Sequence, residues 1–314
     1  MLSPDTSFVV GGSAGRDEVT NGSDLDWTLL VDGQANPDHT ETANKIEALI
    51  ANSGFKGPGR EATFGGIVFS HDLIHNIGGD DDDNANTTRR LLLLLESRPI
   101  GRRDAFDRTV RNVLRRYILE DFGWMHARNR QNLPRFLHND FVRYWRTMAV
   151  DFAHKRKMRG GSGWALRTTK LRLSRKLIYV AGILMCYACA MDPQISVLKP
   201  TPEKPDSPLP IVDFLTNFVD QTPLTIVART LGVYPEFDDS LRSLFGRYDE
   251  FLSVLDDPTK RSWLDKLGRD SVADDALYND MRTLSHEFQS ALITMFFDIK
   301  TTPIYDLTRT YGVF

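Results

Sequence analysis

Two short apolar runs, "SFVVGG" (7–12) and "DLDWTLLVDG" (24–33), enclose a polar loop near the start of the chain. Each is too brief for a helix, rich in β-favouring residues, and closed by a glycine turn, Gly-Gly or Asp-Gly. The chain is therefore constrained to open as a sheet. Beyond it, "DHTETANKIEALIANSGF" (38–55) puts Ile46, Leu49 and Ile50 on one helical face, with Gly54 past the end. "GGIVFS" (65–70) predicts a third strand. Strand, strand, helix, strand makes a small α/β unit.

From about residue 84 the periodicity becomes helical. Helices are expected from "NANTTRRLLLLLESRPI" onward and across 104–121, 133–158, 164–191, 210–232, 238–255 and 274–298. The expected class is α+β: a small α/β domain over 1–83 and a helical region over 84–198. A proline-rich linker, "KPTPEKPDSPLPI" (199–211), then leads to a C-terminal helical bundle over 212–314. At 41% hydrophobic and 26% charged residues the composition is that of a globular protein. The net charge of −3 excludes a uniformly basic nucleic-acid coat, though not a local patch. The two cysteines, Cys186 and Cys189, suit a reducing cytoplasm better than a disulfide scaffold. The opening residues do not pattern as a secretory leader. The longest apolar run, 177–191, is shorter than the roughly 20 residues that span a bilayer, so a buried core helix is expected.

Asp24 and Asp26 occupy alternate strand positions, so both project from one face while Leu25 turns to the other. Carboxylates held that close repel unless a divalent cation lies between them. Mg²⁺ accepts such hard oxygens and completes its shell with waters and substrate phosphates. Upstream, Gly11, Gly12 and Ser13 offer close backbone approach, N–H donors and a hydroxyl, which phosphate oxygens need. Phosphate at one loop and metal on the next strand point to metal-assisted nucleotidyl or phosphoryl transfer. The plain alternative is a turn cap followed by a solvated strand residue.

"GGSAGRDEVTNGSDLDW" (11–27) resembles the signature of the polymerase-β-type nucleotidyltransferase superfamily: Gly-Ser, a spacer of roughly ten residues, then Asp-apolar-Asp. With "NTTRRLLLLLESRPI" and "FDRTVRNVLRRYI" downstream, it is similar to the branch that uridylylates PII signalling proteins, particularly to the uncharacterised bacterial proteins grouped with it. The resemblance covers about residues 7–180. It implies that Gly12 and Ser13 contact NTP phosphates, with Arg16 and Ser23 beside them, and that Asp24 and Asp26 hold two Mg²⁺ ions. The family adds a third carboxylate, base and metal ligand, on a later strand. Glu61 and Asp72, flanking the third strand, are the candidates.

Between Asp151 and Asp192 no acidic residue occurs, while Lys155, Arg156, Lys157, Arg159, Arg167, Lys170, Arg172, Arg175 and Lys176 do. Such crowding suits a polyanion, either the NTP triphosphate, with Lys170 and Arg175 as contacts, or an RNA backbone. A solvated helix face is the bland alternative. Trp164 and Tyr144 could stack a base, though core packing suits each better. In "HNDFVRYWRTMAVDF" (138–152), Asp140, Arg143 and Arg146 suit a helix-face ion pair, or Asn139 and Arg143 line a nucleotide cleft. The run Asp80–Asp83 reads as a helix cap rather than a metal site. "CYAC" reads as packed thiols. His71 and His75 lack the companion glutamate of a zinc motif.

The expectation is an Mg²⁺-dependent enzyme that moves NMP from an NTP to a hydroxyl on RNA (tRNA included) or on a protein, with release of pyrophosphate. Three rivals stay open. One is a synthase joining nucleotides into a second messenger. The second is a non-catalytic, antitoxin-like module, which a missing third carboxylate would favour. The third is a small-molecule transferase, whose acidic acceptor pocket the basic segment argues against.

Overall fold

A computed structural model describes residues 2–58, 64–120, 132–158, 163–196 and 210–312, with backbone alone at 154–158. The protein is α+β: a small four-stranded mixed sheet within a largely helical chain.

Strand β1 (Thr6–Val10) lies at the centre, antiparallel both to β2 (Trp27–Val31) and to β4 (Arg98–Ile100). β3 (Gly66–Phe69) runs parallel to β2, giving the order β3-β2-β1-β4. β4 was not foreseen. It carries Pro99, which lacks a ladder donor and is tolerated at a sheet edge.

Period-two alternation divides β2 cleanly. Trp27, Leu29 and Val31 are buried with Ile50 of helix α2 (Pro37–Asn52), and Leu25 and Ile46 pack against that cluster. Thr28 and Leu30 face the opposite way, toward Val68, Leu73 and Leu93. Each fully buried Leu contributes about 1.5–3 kcal/mol, so the register of β2 is firmly set. Pro37 at the first turn and the Asn36 side chain, which accepts from the Asp38 N–H at 2.9 Å, start α2 slightly ahead of the expected position.

After β3 come α3 (Ser70–His75), α4 (Asn84–Leu95), α5 (Asp104–Glu120) and α6 (Arg135–Met158). Asp83 caps α4 through the Asn86 N–H, as the acidic run suggested. α7 (Trp164–Lys170) continues through a π-helical turn (Leu171–Arg175) into α8 (Lys176–Met191). This stretch is long and apolar enough to cross a membrane, and most of it is buried inside the fold. Cys186 and Cys189 are buried and form no disulfide, and burial pushes the Cys189 thiol up.

The expected helix over 210–232 divides into α9 (Pro210–Val219) and α10 (Pro223–Leu231), because Pro223 must begin a helix rather than continue one. Then come α11 (Asp238–Asp256), α12 (Pro258–Lys266), α13 (Ala276–Ile293) and α14 (Pro303–Tyr311). Sequence periodicity missed the short α12 and α14.

The chain divides into two units that do not follow the sequence boundaries. Unit 1 comprises 1–19, 23–144 and 188–223; unit 2 comprises 20–22, 145–187 and 224–314. Two of the divisions fall inside the continuous helices α6 and α8, where no turn residue announces them. Most of the expected linker 199–211 lies outside the described residues.

Candidate functional site

The site is built where β1 ends and β2 begins. Gly11 is extended, and its N–H donates to the Asp26 carbonyl at 2.8 Å, tying the loop to the start of β2. The Phe64 ring packs over Gly11. Gly12 sits at φ +59°, the left-handed region, and a Cβ there would collide with the Asp26 carboxylate. Only glycine lets the loop lie this close to the acid. Gly12 opens the short helix α1 (Gly12–Gly15), whose cap supplies no side-chain hydrogen bond. The partly exposed Ser13 side chain follows at once. Gly15 packs against the Glu96 carbonyl, which fixes the end of the turn.

Asp24 and Asp26 lie in the segment that leads into β2, Asp24 in an isolated parallel bridge to Lys56 and Asp26 directly before Trp27. Leu25, between them, packs against the α2 cluster. The Leu25 N–H donates to the Lys56 carbonyl at 2.7 Å, holding this segment extended. Asp24 is bridged to Lys56, whose ammonium lies 2.8 Å from its carboxylate. Both aspartates are partly exposed. A cation already balances Asp24, and the carboxylate of Asp26 abuts the Gly12 turn. This pair of hard oxygen donors fits magnesium. Among the described residues no group of three His, Cys, Asp or Glu could hold a metal. The pair would rely on substrate phosphates and water for the remaining ligands.

Other expected site residues fall elsewhere. Glu61 lies outside the described residues. Asp72 follows β3, and the parallel register Thr28–Gly66 through Val31–Phe69 puts it at the opposite end of the strand pair from Asp26. It is not gathered with the other two acids. Arg16 is not a free phosphate contact: it is buried between Glu18, at 2.7 Å, and Glu96. Buried carboxylates demand such a partner. Ser23 is partly buried directly before Asp24.

Arg143 is likewise committed to structure. Its guanidinium donates to the Asp82 carbonyl at 3.0 Å and lies 3.7 Å from that carboxylate. Asp140 pairs with Arg90 rather than along its own helix, and Asn139 is exposed. Lys170 and Arg175 belong to unit 2, on α7 and its π-turn. Arg167 donates to the Gly163 carbonyl at 3.0 Å. The side chains of 155–157, and Arg159 altogether, lie outside the described residues. Tyr144 is buried and Trp164 packs on Tyr278, so both serve the core.

Sequence reasoning missed Lys56, whose only signal is its place in a polar turn after α2. It also missed Arg89, which lines a small cleft with Gly11, Thr28 and Phe64. The largest omission is Arg90. It is fully buried, bidentate to Asp82 at 2.9 Å, 3.0 Å from Asp140 and 2.7 Å from the Tyr117 hydroxyl. Arg90 holds the Asp82 carboxyl below its usual range against the opposing effect of burial. In "NTTRRLLLLL" nothing distinguishes this arginine from its exposed-looking neighbour.

Comparison with protein-family models finds no match for the chain, and comparison with curated proteins finds none either.

Proposed function

We propose that the protein is a magnesium-dependent nucleotidyltransferase of polymerase-β-like architecture, with Asp24 and Asp26 as the metal-binding and catalytic acids. The observation that carries this reading is the apposition of the left-handed Gly12 to the Asp26 carboxylate, with Asp24 two residues upstream and partly exposed. The glycine turn that follows β1 and the acidic segment that leads into β2 meet there.

Within this reading Gly12 and Ser13 bind the triphosphate. The backbone comes close because no Cβ intervenes, and the Ser13 hydroxyl donates to a phosphate oxygen. Asp24 and Asp26 orient that triphosphate through shared magnesium. When bound, magnesium supplies a Lewis acid that lowers the pKa of an acceptor hydroxyl and neutralises charge on the leaving pyrophosphate. Lys56 holds Asp24 in place and keeps a positive charge beside the phosphates. Arg89, in the small cleft with Gly11, adds a second cation. Arg16 and Arg143 contribute by rigidity alone. The acceptor is a hydroxyl on RNA or protein, and two cysteines outside any disulfide suit a reducing cytoplasm.

A second reading has a specific observation behind it. Among the described residues no third His, Cys, Asp or Glu joins Asp24 and Asp26 in a metal-holding group, which also suits a binding module without turnover. The two separate on incubation with each α-³²P-labelled NTP and Mg²⁺, with and without RNA or cell lysate. Transfer of label to a macromolecule, absent from the D24A/D26A double variant, is expected. Label confined to short oligonucleotides would instead identify a second-messenger synthase. No labelled product with any NTP would leave the binding module.

A further inference from the structure

Unit 2 contains a cavity of about 280 Å³, independent of the aspartate site. Its walls come from α6, α8, α13 and α14 together with the π-turn Thr294–Asp298. Trp145 and Tyr179 line it as a stacked pair, ring centroids 5.4 Å apart and planes 21° from parallel. Phe296 and Phe297 contribute further ring surface, the second of them exposed at the rim.

Into this apolar wall projects one cation, Lys176. Its ammonium donates to the Gln289 amide oxygen, which also lines the cavity. Among the described residues no aspartate or glutamate lines it. Burial, with Arg172 nearby, lowers the Lys176 pKa to about 8. A half-buried ammonium facing an apolar cavity lacks the charge partner that would offset its desolvation. The sequence reading assigned Lys176 to a general polyanion face, yet a highly charged polyanion suits neither the aromatic walls nor a single cation.

We propose that this cavity binds a small planar aromatic carboxylate, its ring packed among Trp145, Tyr179 and the phenylalanines and its carboxylate paired with Lys176. The Gln289 amide is placed to donate to the second carboxylate oxygen once its own oxygen releases the lysine. Ligand pockets of this kind combine apolar walls with very few polar groups that fix orientation. The assignment does not depend on the transferase reading.

The test is calorimetric titration of the full chain with 2-naphthoate and, separately, with 2-naphthylmethanol, which matches its shape without the charge. Wild-type protein is expected to bind the acid roughly tenfold or more tightly than the alcohol. In K176M that preference disappears, while binding of the alcohol persists. I183F, which narrows the cavity, weakens both ligands and leaves the charge in place. Equal affinity for acid and alcohol in the wild type would overturn the proposal. So would failure of the wild type to bind either ligand, or an undiminished acid preference in a folded K176M.

Discussion

Gly12 is constrained twice over, by its backbone angle and by its neighbour. A methyl group there must both occupy the left-handed region and displace the Asp26 carboxylate. G12A is expected to cost about 1–3 kcal/mol of stability and to abolish nucleotide binding, measured by urea denaturation and by nucleotide titration. Unchanged stability and affinity would show that the turn is not held against the acid. D26N, nearly isosteric, should leave stability almost unaltered while lowering any transfer rate by a factor of about 10² or more. Lys56 behaves differently. K56M should weaken nucleotide affinity yet leave the fold intact, because the Lys56 side chain is largely exposed. Arg16 was read as a phosphate ligand because it follows the Gly-Ser step. Its capture by Glu18 and by the distant Glu96 depends on tertiary proximity across 80 residues, which no local pattern reveals.

At the scale of elements, strands β1, β2 and β3 and helix α2 were legible because their apolar periods are plain and glycine or proline marks their ends. The common face expected of Asp24 and Asp26 rests on strand period, whereas β2 begins at Trp27, after both of them. β4, by contrast, has three residues, one a proline, and exists only because β1 offers an open edge. The π-turn at Leu171–Arg175 was also hidden, and it changes the phase of the helix just where the basic residues lie. Arg172 and Arg175 lie on that turn, with Lys170 directly before it and Lys176 directly after. The polar knot of α4, α5 and α6 is another element-level device: Arg90, Asp82, Asp140 and Tyr117 clamp three helices together. R90M leaves two carboxylates short of their cation and should cost about 3–5 kcal/mol in chemical denaturation. R90K should not recover the loss, since an ammonium lacks the bidentate fork. Stability close to wild type in both variants would refute the clamp.

For the molecule as a whole, pH dependence has an identifiable contributor. His138, at the start of α6, is buried, and desolvation lowers its pKa to about 4 from 6.5. Between those values the unfolded chain binds a proton that the folded chain refuses, so stability falls as pH falls through this window. Roughly 2 kcal/mol should be lost from this group between pH 7 and pH 5, and H138L should flatten that part of the stability curve. An identical slope in the variant would remove His138 from the account. The division into two units was not legible, because its boundaries run through uninterrupted helices. The position of a third acid is equally hidden, since Asp72 lies at the wrong end of β3 and Glu61 falls outside the described residues.

The central claim is that Asp24 and Asp26 jointly hold a divalent cation beside Gly12. It is tested most directly by titrating Mn²⁺ into the protein with a non-hydrolysable NTP analogue and following free Mn²⁺ by electron paramagnetic resonance. The wild type should sequester Mn²⁺ beyond what the nucleotide alone binds, and D24N and D26N should each remove that excess. Wild-type protein that sequesters no more than free nucleotide, or variants that sequester as much as the wild type, would contradict it.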